Sequence, residues 1–151
     1  ITYGSLGASA NYVEVDQANG NAAQQQKNHG GGYSFTYDIG NFGIGYGKTF
    51  QNPAIAAFPG ATATAEYYET TLVSVGAKVN DNLSISYSQE KSEQNNATAG
   101  ATLYDVEART VQAAYNMGGL TIGLSQAEFE KTGYANVPDV NEFILSLSAA
   151  F

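Results

Sequence analysis

The sequence has no cysteine, only 3 prolines in 151 residues, and charged side chains at 13% of its length. Without cysteine there are no disulfides and no thiolate metal sites. The charged share is roughly half that of an ordinary soluble protein. Leu, Ile and Val are few, so a thick two-layer core would be hard to build. Basic residues are scarcer still: 6 Lys and Arg stand against 14 Asp and Glu, for a net charge of −8. No basic stripe is left to neutralise phosphates, which argues against a nucleic-acid partner. No stretch approaches the roughly 20 apolar residues of a transmembrane helix, and this excludes helical spans. It does not exclude a membrane barrel, whose strands show lipid only every second residue. The chain opens on Ile1 with no initiator Met or signal peptide, and is expected to be a processed form or a piece of something longer.

What the sequence does contain is glycine (17), tyrosine (11) and phenylalanine (7), regularly spaced among β-branched residues. This spacing is unlike a disordered composition. Three segments share one plan: "YDIGNFGIGYG" (37–47), "AKVNDNLSISYS" (77–88) and "YNMGGLTIGLS" (115–125). Each is an alternating run, a tight turn and another alternating run. Gly40-Asn41, Asp81-Asn82 and Gly118-Gly119 suit the positive-φ demands of two-residue hairpin turns. A fourth copy with a shorter turn is expected at Tyr3–Leu6. The first apolar residues after the turns, Leu6, Phe42, Leu83 and Leu120, are 36, 41 and 37 residues apart, a period of two strands with a turn and a longer loop. The long connections are 16–31, 53–65, 93–102 and 132–140.

This pattern predicts eight strands near 6–15, 32–39, 42–52, 66–79, 82–92, 103–117, 119–131 and 140–151. They are longer than the usual soluble strand of about 5 to 6 residues and fit the roughly 9 to 11 that cross a bilayer at a tilt. Alternation gives one face to Tyr33, Phe35, Tyr37 and Ile39, then Phe42, Ile44 and Tyr46. Val73, Val75, Ala77 and Val79 continue it, followed by Leu83, Ile85 and Tyr87, Val111 to Met117 at odd positions, and Leu120, Ile122 and Leu124. The other face carries Ser, Thr, Gly, Asn and Gln. A soluble sandwich or lipocalin-like barrel has the same period, but its solvent face would be rich in Lys and Glu. Tyr3, Tyr37 and Tyr115 recur beside the tight turns, where an interfacial aromatic girdle would sit. The expected fold is therefore all-β, an antiparallel up-and-down transmembrane β-barrel forming one unit over residues 1–151.

The last strand, "NEFILSLSAAF", and the hairpin "YNMGGLTIGLSQAEFE" before it resemble the C-terminal half of a Gram-negative outer-membrane general porin, a trimeric family. The resemblance implies a 16-stranded barrel of which about eight strands are seen here, with the start missing. It implies passive diffusion of small hydrophilic solutes and ions through a water-filled channel, without cofactor or enzymatic activity. It also implies a homotrimer in the bacterial outer membrane, in contact with lipid and lipopolysaccharide. Phe143, Leu145, Leu147 and Phe151 would form the signal read by the barrel-assembly machinery, with Phe151 in the girdle on the short-turn side. Exposed loops would offer docking points to phages. The rival is a complete eight-stranded barrel serving as a structural anchor or adhesin. Its narrow interior would be plugged by side chains, whereas Gly43, Gly45 and Gly47 leave room for water.

Lys78, Glu90, Gln112 and Asn116 point to the polar side by parity and are the candidate pore-lining residues. A charge there sets local potential, although a wall salt bridge or a wet rim position would explain Lys78 and Glu90 equally. Lys48, Glu69, Glu107 and Arg109 fall on the apolar parity, far from the turns, where they would meet headgroups unless a bulge turns them inward. Loop acids bridging lipopolysaccharide through divalent cations lack any spaced calcium motif. His29, the sole histidine, is expected to be a solvated loop residue, and no catalytic set organises around it.

Overall fold

The structure, a computed structural model, describes residues 4–15, 24–26, 28–53, 55–56, 65–96 and 102–149. It is built of strands: β1 (Ser5–Val15), β2 (Gln24–Gln26), β3 (Asn28–Ile39), β4 (Phe42–Asn52), β5 (Ile55–Ala56), β6 (Ala65–Lys78), β7 (Leu83–Asn96), β8 (Val106–Met117), β9 (Leu120–Glu130) and β10 (Val140–Ala149). A single 3-10 turn, Thr132–Tyr134, separates the last two. The eight long strands form one antiparallel sheet in the order β1-β3-β4-β6-β7-β8-β9-β10, each beside its neighbour in the chain, and β2 pairs with β5. Among the described residues β1 pairs only with β3 and β10 only with β9, so the sheet is not closed on itself.

Two tight turns are as the sequence predicts. Ile39 pairs with Phe42 across Gly40-Asn41, and Met117 with Leu120 across Gly118-Gly119. Gly40 (φ 58), Gly118 (φ 57) and Gly119 (φ 90) take the left-handed conformations these turns require. The third turn differs. Neither Asp81 nor Asn82 has positive φ. Instead Asn80 Oδ1 accepts from the backbone N–H of Asn82 and Leu83, both at 2.9 Å, and Val79 N–H reaches Leu83 O at 2.8 Å. An Asn side chain here replaces a backbone turn with its own. No turn stands at Ser5-Leu6, which are already in β1 opposite Asp38 and Tyr37; Tyr3 lies outside the described residues.

β3 begins at Asn28, well inside the segment expected to be a loop, and runs through Gly30, Gly31 and Gly32. Glycine clusters usually punctuate strands, but here they let neighbouring backbones approach. A Cβ on Gly31 would come within 2.5 Å of Asn11 O, and one on Gly32 within 2.8 Å of Lys48 O. β7 likewise runs on to Asn96, and β5 sits within the expected 53–65 connection.

The sheet is a single layer. Phe35 is 48% exposed, Val75 46% and Leu145 66%, all on one face, and Ala127 is the only buried apolar side chain among the described residues. The chain exposes 10424 Å², against roughly 7,400 Å² for a compact soluble protein of 15.9 kDa. Nothing among the described residues packs across the apolar face.

Candidate functional site

Cross-strand pairing fixes which side chains share a face, because residues directly opposite point the same way. One row runs Tyr37↔Ile44↔Val75↔Tyr87↔Val111, and on the same face Ala113↔Leu124↔Leu145. The opposite face carries rows such as Thr36↔Gly45↔Ser74↔Ser88↔Thr110 and Gln112↔Ser125↔Ile144. Hydroxyls bond one another across strands on this face, as in Ser9 Oγ with Ser34 Oγ at 2.8 Å. The face is hollowed by a cavity of about 720 Å³ that touches seven strands, from Asp38 on β3 to Ser146 on β10.

All four candidate pore-lining residues lie on this hydroxyl face and are exposed, but they do not form one cluster. Lys78 and Gln112 border the large hollow, along with Asp38. Lys78 also shares a smaller hollow by the short turns with Asn116, whose Oδ1 accepts from Thr121 Oγ1 at 2.6 Å. Glu90 stands apart, bordering a third hollow beside Thr70 and Leu72. Among the described residues neither Lys78 nor Glu90 is in an ion pair, and they are not paired with each other. Phe143, Leu145 and Leu147 are exposed at 68%, 66% and 70% on the apolar face of β10; Phe151 lies outside the described residues.

Towards the long-loop end the apolar face turns ionic, and along β8, β9 and β10 the hydroxyl face turns apolar. On the apolar side the rows become ionic. Lys48 Nζ meets Glu69 at 2.7 Å, Lys91 meets Glu93 at 2.8 Å and Asp105 at 2.9 Å, and Arg109 meets Glu130 at 2.6 Å and Glu107 at 2.8 Å, with Glu128 at 3.9 Å. Pairing through these residues is unbroken, so no bulge turns them inward. Three cations stand among six carboxylates along the rim of the apolar band, which therefore keeps a net negative charge. Behind them, on the hydroxyl side, stand Val106, Ala127, Phe129 and Val140. His29 is not a loop residue: in β3 its ring lies 6.3 Å from that of Tyr12 and 6.2 Å from that of Phe50.

Sequence reasoning singled out neither Tyr68 nor Tyr134. Tyr68 shares the parity of Ser74 and could have been placed on the hydroxyl face. Tyr134 belongs to an irregular loop, where no periodicity assigns a direction. Among the described residues, no group of three or more His, Asp or Glu side chains is arranged to hold a metal ion. Comparison of the chain with models of known protein families, with curated proteins and with solved structures found no match.

Proposed function

We propose that this sheet is wall of an outer-membrane β-barrel and that the protein is a porin, a water-filled channel for passive diffusion of small hydrophilic solutes and ions. The observation that carries this reading is the uncovered apolar face of a single-layer sheet. Soluble monomers rarely leave more than a few hundred Å² of contiguous apolar surface to water. Here rows of Phe, Val, Leu and Tyr cross the sheet with nothing among the described residues over them, and acyl chains are a solvent in which that arrangement costs little.

The change of polarity along the apolar face supports the same reading and sets a depth. An outer wall should be apolar only within the hydrocarbon, and ionic where water and headgroups begin. From Met117 to Val111 the apolar band measures about 20 Å along the strand, or roughly 15 Å of depth at the usual tilt of about 40°, short of the roughly 25 Å apolar band of outer-membrane barrels. The paired Lys and Arg stems beyond it extend apolar cover while their charged heads stay wet. On the other side, hydroxyls and glycines line a hollow rather than a plug, the lumen a diffusion channel needs. The free edges of β1 and β10 would be paired by further strands, as in a larger barrel. On this reading the partners are membrane lipid, lipopolysaccharide and two further copies of the chain.

Planar-bilayer recording of the intact protein tests the proposal. Stepwise conductance is expected, and Lys78→Glu should shift the reversal potential in a salt gradient towards cation preference, since it reverses a charge beside the hollow. A protein that inserts and yields no steps is not a channel, and the anchor reading would replace this one.

A further inference from the structure

The loop after β9 does not stay over its own edge of the sheet. Lys131 (φ 52), Gly133 (φ 72) and Tyr134 (φ 57) all take left-handed backbone, which reverses the chain within one turn and lays it against β8. Tyr134 thereby reaches the hydroxyl face of β6 and β7. Its Oη is 2.7 Å from Ser92 Oγ, which is itself 2.8 Å from Thr70 Oγ1. Its ring sits 5.3 Å from that of Tyr68, tilted by 48°, and Gln94 Nε2 donates to Tyr68 Oη at 3.4 Å. A bulky residue at positive φ is an outlier, here held by a hydroxyl bond 42 residues away in the chain and by a ring contact with the still more distant Tyr68.

Beside the two rings opens a hollow of about 520 Å³, within the roughly 300–1,000 Å³ of small-molecule sites. Its described lining includes Thr49, Gln51, Thr70 and Ser92 with both tyrosines, and every one of these lining residues is uncharged. In a chain of net charge −8, a hollow whose described lining is uncharged and sets aromatic rings beside hydroxyl and amide groups gives no advantage to ions. We propose that Tyr68 and Tyr134 form a binding subsite for neutral polyhydroxylated solutes of sugar size. The C–H-rich face of a pyranose is attracted to the negative face of an aromatic ring. Its peripheral hydroxyls exchange hydrogen bonds with Ser, Thr and Gln groups, which can both donate and accept. The inference rests on the channel reading for how a solute arrives, and on the geometry alone for what is bound.

Saturation-transfer NMR on the intact protein in detergent, with methyl α-glucoside and a glucose trisaccharide as probes and gluconate as the anionic comparator, tests binding independently of conduction. The sugars should receive saturation and gluconate should not. Tyr134→Phe keeps the ring and should retain affinity, whereas Tyr134→Ala and Tyr68→Leu should each weaken binding by about tenfold. Strand content by circular dichroism checks that each variant folds. Absence of sugar binding to the unaltered protein, undiminished binding by Tyr68→Leu and Tyr134→Ala, or preference for gluconate would each overturn the subsite. Absence of conductance steps would overturn the channel while leaving the NMR result to decide the subsite.

Discussion

Gly31 and Gly47 both lie within strands, yet the sheet needs only one of them. At Gly31 a Cβ would meet the backbone carbonyl of Asn11, which cannot swing away, whereas at Gly47 the nearest atom would be 3.7 Å off. Gly31→Ala should therefore destabilise the protein by about 1–3 kcal/mol, as overpacking does. Gly47→Ala should stay within about 0.5 kcal/mol. Urea unfolding in lipid, followed by circular dichroism, distinguishes the two; equal effects would mean the β1–β3 approach is looser than described. Side chains at this scale were unevenly legible. Asp38 was assigned its face by parity, but its place with Lys78 at one hollow depends on three strands, β3, β4 and β6, coming into register. The role of Asn80 in the third turn depended on its amide turning back on the backbone, which competes with an ordinary turn in a way composition does not reveal.

Each strand carries two surfaces, and substitution of adjacent residues should expose the difference. Val75 and Ser74 are neighbours on β6 that face opposite ways. On the membrane reading Val75→Arg should cost about 2–4 kcal/mol and Ser74→Arg much less. The reverse order would put the hydroxyl face on the dry side. Along β8 and β9 the rim is held by Arg109 among three carboxylates. Arg109→Ala leaves those like charges together, so the urea midpoint should fall, and the loss should shrink as salt is raised because exposed pairs are screened. A loss unchanged between low and high salt would point to packing of the Arg stem instead. The number of long strands, their order of pairing and two of the four expected short turns were legible here, since long alternating runs with glycine turns admit few other arrangements. The extension of β3 back through Gly30 and Gly31 was not, because a glycine run reads as a break until a neighbouring backbone fills the space.

For the whole molecule, the absence of cysteine makes a direct test possible: single cysteines introduced along β7 report on water one residue at a time. On the porin reading, a small membrane-impermeant maleimide applied to intact outer membranes should label Ser84→Cys, Ser86→Cys and Ser88→Cys but spare Ile85→Cys and Tyr87→Cys. Uniform labelling would mean both faces are wet and would remove the bilayer from the account. The same scan on a detergent-solubilised sample should keep the alternation, because the micelle replaces lipid on the same face.

The sequence alone determined the alternation, the turns between β3 and β4 and between β8 and β9, and the division of residues between an apolar and a hydroxyl face. These are local consequences of a two-residue side-chain period and of glycine's freedom at positive φ. The tertiary structure decided what depends on distant strands meeting: the open edges at β1 and β10, the ionic rim around Arg109, and the fold-back that carries Tyr134 onto Ser92 and Tyr68. Periodicity specifies which way a strand residue points but is silent on how far a loop travels, and that loop's course is set by contacts made only once the sheet has assembled.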